Sequence, residues 1–152
     1  MSSLITDEEF MSLAIAEAVK GKASGNLPFG AMVVLNGEVI STAHAEDVAT
    51  HDVTAHAELQ AIKKACKTLK TTSLKECIMY TTNEPCVMCS GAILQAGINK
   101  IVIGAMRGDI PGRFMPKKYS INDFAENYGY RPEIVKGVLK DKVVEFFKDT
   151  VK

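Results

Sequence analysis

His56, Glu58, Cys86 and Cys89 are the residues of this chain whose types and spacing could do chemistry. One imidazole and two thiolates suit Zn²⁺. Three protein ligands leave its fourth tetrahedral position open, which separates catalytic zinc sites from closed structural ones. One helical turn brings Cys86 and Cys89 to the same side. Glu58, two residues past His56, is poorly placed to join it as a ligand, yet near enough to carry protons to and from the open position. Zn²⁺ supplies water activation near neutral pH. Water attack with a shuttled proton at an amine-bearing carbon is hydrolytic deamination, giving a carbonyl and ammonia.

Other readings compete for the same residues. A closed zinc site, holding together a non-catalytic binding module, needs a fourth ligand, for which Cys66, Cys77, His44 and His51 are nominal candidates. Cys66 falls on an apolar helical stripe and Cys77 opens a strand, so both read as buried packing. A redox C-x-x-C leaves the spacing of His56 and Glu58 unexplained. His44 and His51 sit in a polar stretch and, taken alone, read as solvent-exposed. Phe29, between Pro28 and Gly30, is either a wall against a substrate ring or plain packing. Glu84 orients a ligand, contacts substrate or caps a helix.

Elements that would position these groups follow from local pattern. Thr6 and Glu9 form a capping-box pair, and Phe10, Leu13, Ala14 and Ala18 recur at helical spacing, predicting a helix over 7–22. Residues 31–35 and 38–40 flank Asn36-Gly37 as a hairpin, and 43–54 read as loop. A helix over 55–69 buries Leu59, Ile62, Ala65, Cys66 and Leu69. A strand at 77–81 precedes a helix with Pro85 in its first turn, closed by Gly97. Residues 100–105 are a strand and 106–119 a loop. A short helix over 121–128, a strand over 133–138 and a terminal helix over 139–151 complete the chain. The order predicts an α/β fold, helices on both faces of a mixed sheet. Both metal motifs then start adjacent helices, where amide N–H groups and the helix dipole favour thiolate.

Composition bounds the rest. At 152 residues the chain is read as a single domain, 1–152, large enough for a core without disulfides. No apolar run approaches the ~18 residues that span a bilayer. No basic-then-apolar leader is apparent at Met1–Asp7, so a cytoplasmic protein with reduced thiols is expected. Formal charge balances to zero, which weighs against holding nucleic acid by its phosphates. The cluster Arg107, Arg113, Lys117 and Lys118 reads as a solvated loop.

The motifs His56-Ala57-Glu58 and Pro85-Cys86-Val87-Met88-Cys89 resemble the zinc-dependent cytidine/nucleobase deaminase superfamily, whose signature and glutamate role are described generally. Pro28-Phe29-Gly30-Ala31, Thr54-Ala55, Ala61–Cys66 and Gly91-Ala92 extend the likeness to the guanine, cytosine and tRNA-adenosine deaminase branch. It covers residues 8–105 well and 133–147 more loosely. The resemblance implies a three-layer α/β/α sandwich around a five-stranded mixed sheet and a homodimer. It implies His56, Cys86 and Cys89 as Zn²⁺ ligands, with Glu58 as catalytic proton carrier. Substrate contacts are expected from Phe29, His44, Ala57, Glu84, Phe114 and Phe147. The branch's base-binding Asn falls on Ala45 here, so either His44 shifts into that role or the substrate is recognised differently. The segment 104–112 departs from the tRNA-adenosine pattern, although Phe146-Phe147 resembles it. The reading therefore sets a free nucleobase or nucleoside, guanine slightly ahead of cytosine, before tRNA.

Overall fold

Thr6 opens the first helix as a full capping box: its hydroxyl accepts from Glu9 N–H while the Glu9 carboxylate accepts from Thr6 N–H. The helix, α1, runs Asp7–Ala23 and buries Phe10, Met11, Ala14 and Ala18. Its neighbour is β1 (Gly30–Leu35), which turns through Asn36-Gly37, both at positive φ, into β2 (Glu38–His44). Gly30 is required by this packing, because a Cβ there would run into the backbone carbonyl of Ala14 in α1. The computed structural model describes residues 4–110, 112 and 118–148.

The remaining elements are α2 (Asp47–Thr50), α3 (Ala57–Leu69), β3 (Cys77–Asn83), α4 (Val87–Ala96) and β4 (Lys100–Ala105), then α5 (Ile121–Phe124), β5 (Glu133–Val135) and α6 (Lys140–Lys148). A 3₁₀ turn at Arg107–Asp109 follows β4, and another at Ala125–Tyr128 extends α5. The sheet has five strands in the order β2-β1-β3-β4-β5. β1 pairs antiparallel with β2 and β3, whereas β3, β4 and β5 are parallel. Strand alternation sends Val33 and Met79 to one face and Met32 and Tyr80 to the other. The first face is covered by α3, α4 and α5, the second by α1 and α6. The expected α/β/α sandwich is observed.

Several boundaries differ from expectation for physical reasons. β2 runs on to His44 instead of yielding to a loop at 43, because its small inward residues tuck under α3: Ser41 Oγ donates to Ala61 C=O at 2.7 Å and Ala43 is buried. Small polar residues carry little hydrophobic signal. Within the expected loop, α2 makes one turn, held by Asn26 Oδ1 accepting from Ala49 N–H at 2.9 Å and closed by His51 in the left-handed region. α3 buries Ala57, Ala61 and Ala65 most deeply, and Ile62, Cys66 and Leu69 are only half-buried at its flank. Close approach to the sheet favours alanine along the seam. β5 ends at Val135, since Gly137 at φ 81° turns the chain away. No described helix is long and apolar enough to cross a membrane.

Candidate active site

Two helix starts face each other on one side of the sheet, with the sheet beneath both rather than between them. His56 is the N-cap residue of α3, but its side chain makes no capping hydrogen bond, because Nδ1 is turned towards the cysteines. Cys86 is the N-cap of α4, its sulfur accepting from Cys89 N–H at 3.5 Å. The helix therefore begins at Val87, with Pro85 just outside it. Pro85, expected in the first turn, instead lies one residue before the cap, because the Cys86 sulfur caps the helix.

His56 Nδ1 lies 3.5 Å from Cys86 Sγ and 3.6 Å from Cys89 Sγ, and the three donor atoms fall within 4.8 Å of one another. Tetrahedral zinc, with Zn–S of about 2.3 Å and Zn–N of about 2.05 Å, separates N and S by roughly 3.5 Å. The donors fit zinc in kind and spacing. Charge fits as well. A hydrogen bond from the Cys89 thiol, helped by His56, pulls the Cys86 thiol down to about 3, and the same shared proton with burial pushes Cys89 up. Ligation by a divalent ion requires these thiols as thiolates and displaces their protons. His56 is pushed up chiefly by its hydrogen bond to Cys86. Among the described residues no fourth His, Cys, Asp or Glu joins this cluster. Cys66 and Cys77 are free thiols raised by burial, as expected of packing residues.

Glu58 is 7% exposed, and burial pushes its carboxyl up to about 7, a range suited to accepting and returning a proton near neutrality. It lines a cavity of about 220 Å³ with Leu27, Phe29, Ala45, Ala57 and Ile110 as apolar wall. Asp47, Asn83, Glu84 and Arg107 are the further polar groups around it. Sites for drug-sized ligands run roughly 300–1,000 Å³, so this one has room for a single heterocycle.

The structure brings together His56, Ala57, Glu58, Cys86, Phe29 and Glu84 at this cavity, with Cys89 in the ligand cluster beside it. It does not bring His44. Consecutive strand residues point to opposite sides: Ala45 faces the cavity, while the His44 ring binds Glu17 Oε2 at 2.9 Å and approaches Glu46 Oε1 at 3.6 Å. Phe147 is also absent from the wall. It is buried behind Phe29, ring centroids 5.5 Å apart, and backs that wall instead. Glu84 Oε1 accepts from Arg107 N–H at 2.9 Å, tying the two rims of the cavity rather than capping α4. Phe114 lies outside the described residues. Arg107, expected in a solvated loop, is a half-buried wall residue. Asn83 and Arg107 could have been found from topology, since ligands of parallel sheets gather at the strands' carboxyl ends, here Asn83 of β3 and Ala105 of β4.

Residues 4–105 match the family model for the cytidine and deoxycytidylate deaminase zinc-binding region. The chain belongs to this family. As a family member it is a zinc-dependent deaminase, a hydrolase acting on C–N bonds. The tRNA-specific adenosine deaminase of Bacillus subtilis is 38% identical over 138 residues, 90% of this chain and 83% of that protein. The guanine deaminase of the same organism is 41% identical over 103 residues, 67% and 66% respectively. A solved structure from work on A-to-I editing by tRNA:A34 deaminases at the wobble position superposes with a TM-score of 0.79 at 31% identity. That superposition covers 90% of this chain and 97% of that one.

Proposed function

We propose that this deaminase converts adenosine to inosine in a tRNA, with His56, Cys86 and Cys89 holding Zn²⁺ and Glu58 carrying the protons. The observation that supports it best is the extent of likeness to the tRNA-specific adenosine deaminase. A match of 138 residues must continue past residue 105, into the segment that follows the metal motifs. That weighs more than the sequence argument for guanine, which rested on the two short segments Pro28-Phe29-Gly30 and Ala61–Cys66 looking more like guanine deaminases. Zero net charge also argued against RNA. A sum is blind to clustering, however, and Lys63, Lys64, Lys67 and Lys70 are all exposed on or just beyond α3.

The reaction replaces an amino group by an oxo group. Phe29 and Ala57 hold the ring in the cavity, and Glu58 takes a proton from the attacking water and places it on the ring nitrogen beside the amine-bearing carbon. Glu58 then takes the proton of the hydroxyl now on that carbon and passes it to the departing amine as the C–N bond breaks, leaving carbonyl and ammonia. Zn²⁺, when bound, supplies the Lewis acidity that makes water a competent nucleophile. Burial of Glu58 excludes bulk water from the proton path.

A second reading, a free guanine substrate, is supported by the guanine deaminase relative and by a cavity with room for one ring system. Inosine formation in an anticodon stem-loop, measured beside ammonia release from guanine, separates the two. Editing of the stem-loop with little turnover of guanine is the expected result; the reverse would replace tRNA by the free base. A homodimer, implied by the resemblance, is part of the proposal and is checked by sedimentation of the zinc-loaded protein.

A further inference from the structure

One buried polar group in the cavity wall has no task in the scheme above. Asn83, the last residue of β3, is 7% exposed and lines the cavity. Its amide nitrogen, Nδ2, is buried without a hydrogen-bond partner among the described residues. Such a donor costs free energy in a folded protein, and native structures keep few of them.

Its orientation is set from behind. Gly30 N–H donates to Thr82 Oγ1 at 3.1 Å, and the Thr82 hydroxyl donates to Asn83 Oδ1 at 2.7 Å. Because Oδ1 is engaged by that chain, Nδ2 is left as the donor. The Asn83 backbone is fixed as well, paired opposite Ala105 of β4 and with its carbonyl accepting from Thr81 Oγ1 at 3.1 Å. A donor held by three neighbouring residues and lacking a partner is preorganised for something that enters the cavity.

We propose that Asn83 is a specificity-determining residue, its Nδ2 donating to an acceptor on the edge of the substrate's purine ring. The inference rests on the purine-deaminase reading and adds its recognition contact. A ring acceptor is favoured over a sugar oxygen because the cavity of about 220 Å³ is filled by one heterocycle, leaving any ribose at the mouth. Purine N7 and N3 are acceptors in adenine and guanine alike, so the contact serves whichever base is the substrate. A buried amide donor also selects against rings with N–H or C–H at that edge, because Nδ2 would then stay unpaired.

The test compares zinc-loaded wild type, Asn83→Ala and Asn83→Asp on substrates whose reacting base is intact, 7-deaza or 3-deaza, and on the 2′-deoxy nucleotide. An anticodon stem-loop is used if it is edited, otherwise guanine and its deaza analogues. Loss of one neutral hydrogen bond predicts a roughly tenfold fall in kcat/KM for Asn83→Ala, and a larger fall when Asn83→Asp replaces donor by acceptor. The decisive result is selectivity. One deaza substitution should cost wild type about tenfold and cost Asn83→Ala almost nothing, with zinc content and Tm near wild type in the variant.

Unchanged kcat/KM in Asn83→Ala on every substrate would overturn the assignment. So would a uniform fall that tracks lost zinc or a lowered Tm, which marks a structural role. Sensitivity to the 2′-deoxy change alone would move the acceptor to the sugar and refute the ring-edge contact. If guanine turns over and the stem-loop does not, the tRNA reading fails while Asn83 is judged on the guanine series. A wild type inactive on both removes the purine reading and this contact with it.

Discussion

Glu58 and Cys86 line the same cavity, and substituting them should have opposite signatures. Glu58→Gln keeps size and burial but cannot carry a proton. Turnover is expected to fall by roughly 10²–10⁴-fold, the range of a removed general acid/base, with zinc content unchanged by elemental analysis. The same substitution removes a buried carboxyl that burial pushes up to about 7, so Tm should hold or rise. Cys86→Ser removes both a ligand and the sulfur that accepts from Cys89 N–H at the start of α4. Zinc should be lost and Tm should fall together. Retained turnover in Glu58→Gln would refute the proton-carrier role; retained zinc in Cys86→Ser would refute the ligand set. The gathering of His56, Cys86 and Cys89 was legible from residue types and spacing, because a metal imposes its donor chemistry before any fold is known. His44 was not placed correctly. Its side of the strand depends on how far β2 runs, and Ser41 and Ala43 hid that extension.

At the scale of elements, the cavity depends on α1 standing close to β1 and on β2 being anchored to α1. Gly30→Ala should test the first contact. Its Cβ meets the Ala14 carbonyl, a backbone atom that cannot swing aside, so a loss of about 1–3 kcal/mol is expected for overpacking. Thermal melting would register this as a Tm drop of roughly 2–4 °C per kcal/mol, and an unchanged Tm would mean α1 is free to move. The second contact is Glu17 with His44. Burial raises the Glu17 carboxyl, but hydrogen bonds from His44 and Thr42 and the charge of Lys20 outweigh it, leaving a net lowering. A lowered folded-state value means the contribution is fully present above the ordinary carboxylate value of 4.5 and is lost as pH falls through the lowered one. Denaturant titrations should show stability declining through that acid window in wild type and a flatter profile in Glu17→Gln. Most element types were readable from periodicity, caps and the Asn36-Gly37 turn. What periodicity missed were Ala57 and Ala61 on the seam of α3 and the one-turn α2, to whose own hydrogen bonds the distant Asn26 adds another.

At the scale of the whole molecule, the two substrate readings predict different responses to salt. RNA binding displaces condensed counterions, so log K for a single-stranded or looped RNA falls with log salt at roughly −0.7 per phosphate neutralised. A neutral purine releases none, and its KM should be nearly independent of ionic strength. Zero net charge sets no limit here, because the slope counts phosphates contacted locally and ignores the protein's total charge. The segment following the cavity residues Arg107 and Ile110 carries Arg113, Lys117 and Lys118, of which Lys118 is exposed. Replacing all three by alanine should shallow the slope by about 2 units if they hold phosphates, roughly 0.7 apiece. Guanine turnover should be untouched by the same change, since a neutral base offers these side chains no phosphate to hold. Anisotropy titrations of a labelled anticodon stem-loop from low to physiological salt would measure both slopes. A flat slope in wild type would remove the RNA substrate. A steep slope identical in the triple variant would keep RNA but place its phosphates elsewhere, with the exposed lysines of α3 as the next surface to test.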